Sequence, residues 1–205
     1  MPDAMKTLYW IRHAKPAYPG GRRICLGQKV DAPLSEEGIL QAQRLAQTLA
    51  SRGIEAVYAS PMLRARQTAA YIAGEHLPMH MLDTLTELDG GEWDGLTFDV
   101  IHERYPSYFI PGRPVPPPPG GESDEQGLDR ALAALEVIGS RIQTCAAVVS
   151  HSGLSRVLLA RLMGRPLSMK KGVPQEYACV SILREEYGVW RVEEAGITLE
   201  EWENR

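Results

Sequence analysis

Short apolar runs alternate with amphipathic stretches along the chain. Residues 6–12, KTLYWIR, are a compact apolar and aromatic run that breaks at a charged pair, the pattern of a buried strand ending at a functional edge. A loop rich in Gly and Pro follows. Ser35-Glu36-Glu37-Gly38 then opens a helix predicted over 35–52, with Ile39, Ala42, Leu45, Ala46 and Leu49 on one face. Residues 54–60, IEAVYAS, predict a second strand. Pro61 suits a first helical position, so a helix is expected from there to about Glu75. Strand, loop, helix, strand, helix is the alternation of an α/β fold.

The middle of the chain is less regular. A short strand, MHML, and an acidic turn fall within 78–91, and residues 94–105 suggest a helix that stops before Pro106. PSYFIPGRPVPPPPGG follows; it suits neither helix nor central strand, because proline lacks the amide hydrogen and fixes φ. Residues 105–121 are therefore expected as a proline-rich cap or surface excursion, an ordered loop in preference to a docking motif for a partner domain. From Glu122 to about Arg141 a helix is predicted, with Leu128, Leu132, Leu135 and Ile138 toward the core. CAAVVS, residues 145–150, is a further buried strand that ends at His151-Ser152-Gly153 and leads into the helix LSRVLLARLMG. The last apolar runs flank Tyr187-Gly188 and predict a hairpin on the sheet edge.

With 205 residues, 44% of them hydrophobic, the chain suits one substantial domain over 1–205. Its net charge of −4 and its 22 scattered Lys and Arg residues form no basic stripe, so a nucleic-acid partner is not expected. The N-terminal apolar run is too short for a signal segment or a membrane span. Cys25, Cys145 and Cys179 are odd in number and widely spaced, which fits a reducing cytoplasm; Cys145 and Cys179 read as small buried residues. His76 and His80 have helical metal-ligand spacing, but Pro78 lies between them and no third ligand is evident, so no metal is expected. His102 reads as an exposed helix residue. Neither GxGxxG nor GxxxxGK[ST] occurs.

In open α/β sheets ligands bind outside the carboxyl ends of the strands. Those ends carry Arg12-His13, Ser60 just before Arg64, and His151, so two histidines and two arginines are expected to converge on one crevice.

The segments IRHAKP, PLSEEGILQAQ, YASPMLRARQTA, LTELDGGEWDGL, PPGGES and VVSHSGLSRVLL resemble, in order and spacing, the histidine phosphatase superfamily, also called phosphoglycerate mutase-like. The likeness runs from about residue 6 to residue 163. It implies a three-layer α/β/α fold with a mostly parallel central sheet. It implies His13 as nucleophile, Arg64 and His151 as phosphate ligands, Glu87 as proton donor and Arg12 as completing the pocket. A neutral imidazole attacks phosphorus and carries the phosphoryl group, splitting one displacement into two. The guanidinium groups of Arg12 and Arg64 disfavour a second positive charge on His13 and neutralise phosphate oxygens. Ser152 and Gly153, where a helix starts, are candidates to offer backbone amides. Glu92 and Asp94, in the same acidic turn as Glu87, read as capping or solvated residues.

The likeness is imperfect where it matters most. The family continues from Arg-His with Gly, an acidic or amide residue and Thr; here Ala14-Lys15-Pro16 follows, and the asparagine often found next is missing. Lys15 is a candidate cation for an acidic substrate. Gly27 matches a position where backbone approaches substrate, with a plain turn glycine as the alternative. The stretch ICLGQKVDAPLSEEG resembles that of α-ribazole phosphatases. Together these imply a cytoplasmic, metal-independent phosphatase acting on a small phosphorylated metabolite without a cofactor. A phosphoglycerate mutase and a non-catalytic phospho-ligand binder are the alternatives, and a homodimer is left open. The short chain favours phosphatase over mutase, and Tyr108, Phe109 and Arg113 in the proline-rich segment are expected to cap the pocket.

Overall fold

The computed structural model describes residues 5–110 and 115–204, so Arg113 lies outside the described residues. Strands β1 (Lys6–Arg12), β2 (Ala56–Ala59), β3 (Met79–Met81) and β4 (Cys145–Ser150) pair in parallel, and β5 (Val180–Glu186) and β6 (Val189–Ile197) complete the sheet as a hairpin antiparallel to β1. The order is β3-β2-β4-β1-β5-β6, with the hairpin at one edge. Tyr187 and Gly188 turn it with positive φ at both residues, the geometry that matches strand twist in a two-residue loop.

Strand alternation divides the core in two. Tyr9, Ile11, Val57, Ala59, Ala147 and Val149 face helices α1 (Glu36–Leu49) and α2 (Leu63–Ala73), whose Ala42, Leu45, Leu49, Ala65, Ala69 and Ile72 they meet. Leu8, Trp10, Tyr58, Ala146 and Val148 face the other way, onto α4 (Asp124–Arg141) and α5 (Ser152–Leu162). All six residues of β4 are buried, as expected of a strand covered on both faces. The architecture is three-layer α/β/α. Among the described residues no helix is long and apolar enough to cross a membrane.

Several boundaries differ from those expected, and side chains account for them. Helix α1 begins after Ser35, whose hydroxyl accepts from Gly38 N at 3.1 Å, and ends at Leu49. Pro61 is not helical: Ser60 Oγ accepts from Met62 N and Asp31 Oδ1 from Leu63 N, so α2 begins at Leu63, and it ends before Gly74, whose φ is +54°. Helix α3 (Phe98–Arg104) starts four residues later than the expected 94, behind a Thr97 cap, because Asp94 binds a distant loop. In α4, Ser123 and Gln126 form a capping box, and Ala131, Ala134, Leu135 and Ile138 are the buried face while Leu128 is half-buried. A final helix, α6 (Leu199–Glu203), was not anticipated although Thr198-Leu-Glu-Glu201 is a capping box in the sequence; it buries Trp202 edge-on against Tyr9. Of the proline-rich segment, Tyr108 and Phe109 pack on Trp93 with ring centroids 5.3 and 5.9 Å away, a surface excursion beside α3.

Candidate active site

Register places the site. Arg12 of β1 lies opposite Ser150 of β4, and Ala59 of β2 opposite Val149. The next residues continue the ladder: His13 N donates to Ser150 O at 2.9 Å and Ser60 N to Val149 O at 3.0 Å. Three adjacent parallel strands thus end at one level, which brings Arg12-His13, Ser60 and His151 to one corner. The rings of His13 and His151 are 5.0 Å apart.

Each ring is oriented by its neighbours. His13 Nδ1 is 2.8 Å from Ala14 O; a carbonyl only accepts, so Nδ1 carries the proton and the Nε2 lone pair is free. His151 Nε2 is 2.8 Å from Ser60 Oγ. His13 is 4% exposed and His151 fully buried. Burial, then the charges of Arg64 and Arg12, hold the basicity of His13 well below that of an ordinary histidine. For His151 the causes are burial, Arg64, His13 and Arg12, in the same direction. Both imidazoles are neutral at physiological pH.

Arg64, at the first turn of α2, is fully buried. Its Nη1 donates to Val30 O at 3.1 Å and its Nη2 to Leu26 O and Gly27 O at 2.8 and 3.2 Å. Arg12 donates from Nη1 to Gln175 O and lies over the Tyr177 ring, 3.8 Å from its centroid. Arg12 Nε, Arg64 Nε and His151 Nδ1 are buried and have no hydrogen-bond partner among the described residues. The two guanidinium nitrogens are donors that a bound anion would satisfy, and His151 Nδ1 joins them when Ser60 Oγ donates to Nε2.

Glu87 accepts with Oε1 from Leu88 N and Leu154 N at 2.9 and 3.1 Å, and with Oε2 from Gly153 N at 3.1 Å. Its carboxyl therefore occupies the N-terminus of α5, where a negative group is favoured. This alters the expectation for Ser152 and Gly153: the Gly153 amide is committed to Glu87, and Ser152 Oγ accepts from Arg156 Nη1 at 2.8 Å. A Cβ at residue 153 would lie 2.6 Å from Glu87 Oε1, so only glycine admits this approach.

Gly27 is buried, but the group it approaches is Asp94. A Cβ there would fall 2.0 Å from Asp94 Oδ1. Asp94 accepts from the amides of Gly27, Gln28 and Lys29 at 2.9, 3.0 and 3.1 Å and so shapes the loop whose carbonyls hold Arg64. Cys25 Sγ also points at Asp94, and burial with that carboxylate pushes its thiol up to about 12. Lys15 is ion-paired with Glu37, at 40% side-chain exposure.

Arg130 of α4 was not singled out from the sequence. It grips Glu122 through Nε and Nη2 at 2.9 and 2.7 Å and donates to the carbonyls of Thr84, Thr86 and Glu87 at 2.9, 2.8 and 3.2 Å. One guanidinium so fixes the backbone that carries Glu87. The only readable signal was Glu122, eight residues before it on the same helix approach.

Above this corner opens a cleft of about 410 Å³ lined by Arg12, Lys15, Tyr18, Arg23, Ser152, Arg156 and Tyr177, with Gln175 and Glu176. His13, Arg64 and His151 are not on its wall, nor is any described residue of 105–121. Among the described residues no group of three or more His, Cys, Asp and Glu is placed to hold a metal ion; the His80 ring lies tilted beside Tyr58, 5.1 Å between centroids.

A family model for the histidine phosphatase superfamily (branch 1) matches residues 8–198. Phosphoserine phosphatase 1 of Hydrogenobacter thermophilus is 34% identical over 172 residues, covering 80% of this chain and 79% of that protein. The solved structure of Bacillus stearothermophilus YhfR superposes with a TM-score of 0.81 at 27% identity, over 93% of this chain and 96% of the other. An α-ribazole phosphatase from Shigella flexneri shares the fold, with a TM-score of 0.78 at 22% identity over 93% and 96% of the two chains.

Proposed function

The chain belongs to the histidine phosphatase superfamily, branch 1, and we propose that it hydrolyses a small phosphomonoester by two displacements at His13. The observation that carries this reading is the buried, neutral His13, its Nδ1–H tied to Ala14 O and its Nε2 free, beside the unpaired nitrogens of Arg12, Arg64 and His151.

In the first step Nε2 of His13 forms a bond to phosphorus as the ester P–O bond breaks. The leaving alkoxide takes a proton from Glu87. In the second step water attacks phosphorus, Glu87 takes its proton, and the P–N bond breaks to release phosphate and free His13. The three amides that Glu87 accepts from suit the carboxylate that this second step needs; the first step uses its acid form. Arg12 and Arg64 neutralise the equatorial oxygens throughout, and neutral His151 donates a hydrogen bond to one of them from Nδ1. No metal or cofactor enters the scheme, and the setting is cytoplasmic.

The cleft bears Lys15, Arg23 and Arg156 against Glu176. A leaving group with its own anionic group fits it, in keeping with the phosphoserine named for the Hydrogenobacter relative. A phosphate-release screen over phosphoserine, phosphoglycerates, sugar phosphates, nucleotides and α-ribazole phosphate, run beside isomerisation of 3-phosphoglycerate, tests the whole reading. Fastest release from carboxylate-bearing esters is expected; isomerisation without release of phosphate would replace hydrolysis by a mutase reaction.

A further inference from the structure

The loop after His13 gives the site almost no hydrogen-bond donor. The amide of Ala14 goes to Thr68 Oγ1 at 3.0 Å, that of Lys15 to Gln41 Oε1 at 2.9 Å and that of Ala17 to Pro33 O at 2.7 Å. Pro16 and Pro19 have no amide hydrogen. The side chains of residues 14–17 offer one donor, the Lys15 ammonium, already paired with Glu37. On the opposite side the amides of Gly153 and Leu154 are held by Glu87.

Two phenols stand where donors are wanting. Tyr18, at the end of that loop, and Tyr177, just before β5, are hydrogen-bonded to each other through their hydroxyls. Both rings line the cleft. Tyr177 also lies on Arg12 and 5.8 Å, centroid to centroid, from His13. Tyr177 thus borders both the cleft and the buried His13, which is 4% exposed, and holds Tyr18 beside it. A bond between two hydroxyls consumes one of their two protons, and no other partner of either oxygen is found among the described residues. Burial and the bond to Tyr177 push the Tyr18 hydroxyl up to about 12, so it keeps its proton.

We propose that Tyr18 and Tyr177 are substrate-binding residues: as substrate enters, the two phenols exchange their mutual bond for hydrogen bonds to oxygens of the phosphoryl group, supplying donors that residues 14–17 lack. The proposal rests on the reading of the His13 corner as a phosphoryl site. It makes Tyr177, which lies on Arg12, and its partner Tyr18 part of the phosphate cradle.

The test uses Tyr18→Phe, Tyr177→Phe and the double variant, which keep both rings and the stacking on Arg12. Binding of inorganic phosphate is measured by calorimetry, and p-nitrophenyl phosphate hydrolysis is followed alongside. Each single variant is expected to weaken phosphate binding and raise KM about 5- to 10-fold, with kcat changed less than about threefold, the cost of one hydrogen bond to a charged acceptor less that of the mutual bond it replaces. The double variant should lose more than either single. Phosphate affinity unchanged or tightened in all three, with Tm altered or not, reduces the pair to a structural contact or a gate and overturns the proposal. The two readings fail separately: a wild-type protein that neither binds nor releases phosphate removes the phosphoryl site itself, whereas wild-type binding that the Phe variants leave intact removes only the tyrosines.

Discussion

The floor and the rim of the site are built differently. On the floor, His13, Arg64 and His151 are at most 4% exposed, and each is held by backbone or a buried hydroxyl. On the rim, Arg23 and Glu176 are exposed and Lys15 is half-exposed; Arg23 lies over the Phe98 ring, 5.4 Å away. Chemistry that needs a neutral imidazole beside two guanidinium groups requires burial, which raises the cost of further positive charge. Recognition of a varied leaving group requires no such rigidity and is left to loops. The floor should therefore be intolerant of substitution and the rim tolerant.

That contrast is breakable at its strongest point first. His13→Ala should abolish turnover, by about 10⁴-fold or more, and remove the acid-labile phosphoenzyme while the far-ultraviolet spectrum is preserved. Undiminished turnover would falsify the nucleophile. Glu87→Gln should slow alkyl phosphates by about 10²-fold or more yet cost p-nitrophenyl phosphate less than about tenfold, since that phenolate leaves with little help. Equal losses on both substrates take Glu87 out of the acid role.

The next effect is one of pH on stability. The folded state lowers the basicity of His13 and His151 while the unfolded chain keeps the ordinary value near 6.5, so the unfolded state binds more protons in acid. Their contribution is fully present above about pH 6.5 and is lost as pH falls toward the folded-state values. Two such histidines remove about 2 kcal/mol between pH 6.5 and 5.5, a slope visible in urea unfolding. A His13→Gln/His151→Gln double variant should be flatter over that window by this amount; an identical slope would mean that the folded protein protonates these rings. Smallest is the rim: Arg23→Ala should lower kcat/KM about three- to fivefold for an ester with a carboxylate and leave p-nitrophenyl phosphate within about 1.5-fold. A uniform loss would place Arg23 with the floor.

Periodicity made the floor legible. KTLYWIR and CAAVVS are continuous apolar runs ended by polar residues, and their ends are where histidines sit, so the convergence of Arg12, His13, Arg64 and His151 is legible in the sequence. The family reading came from the order and spacing of short segments, and the family match over residues 8–198 bears it out. What escaped was carried by side chains acting across long stretches of chain. Asp94 leaves its expected helix to cap residues 27–29, Asp31 and Ser60 delay α2, and Arg130 reaches 43 residues back to the carbonyl of Glu87. None of these has a local signature.

By itself the sequence determined the alternation of strands and helices, the faces they bury and the residues at the strand ends, because side-chain periodicity and backbone stereochemistry act over a few neighbours. Tertiary structure alone decided which amides are spent on Thr68, Gln41 and Glu87, which nitrogens remain unpaired around His13, and that Tyr18 meets Tyr177 above it. Hydrogen-bond satisfaction is settled only when groups far apart in the chain compete for the same partners.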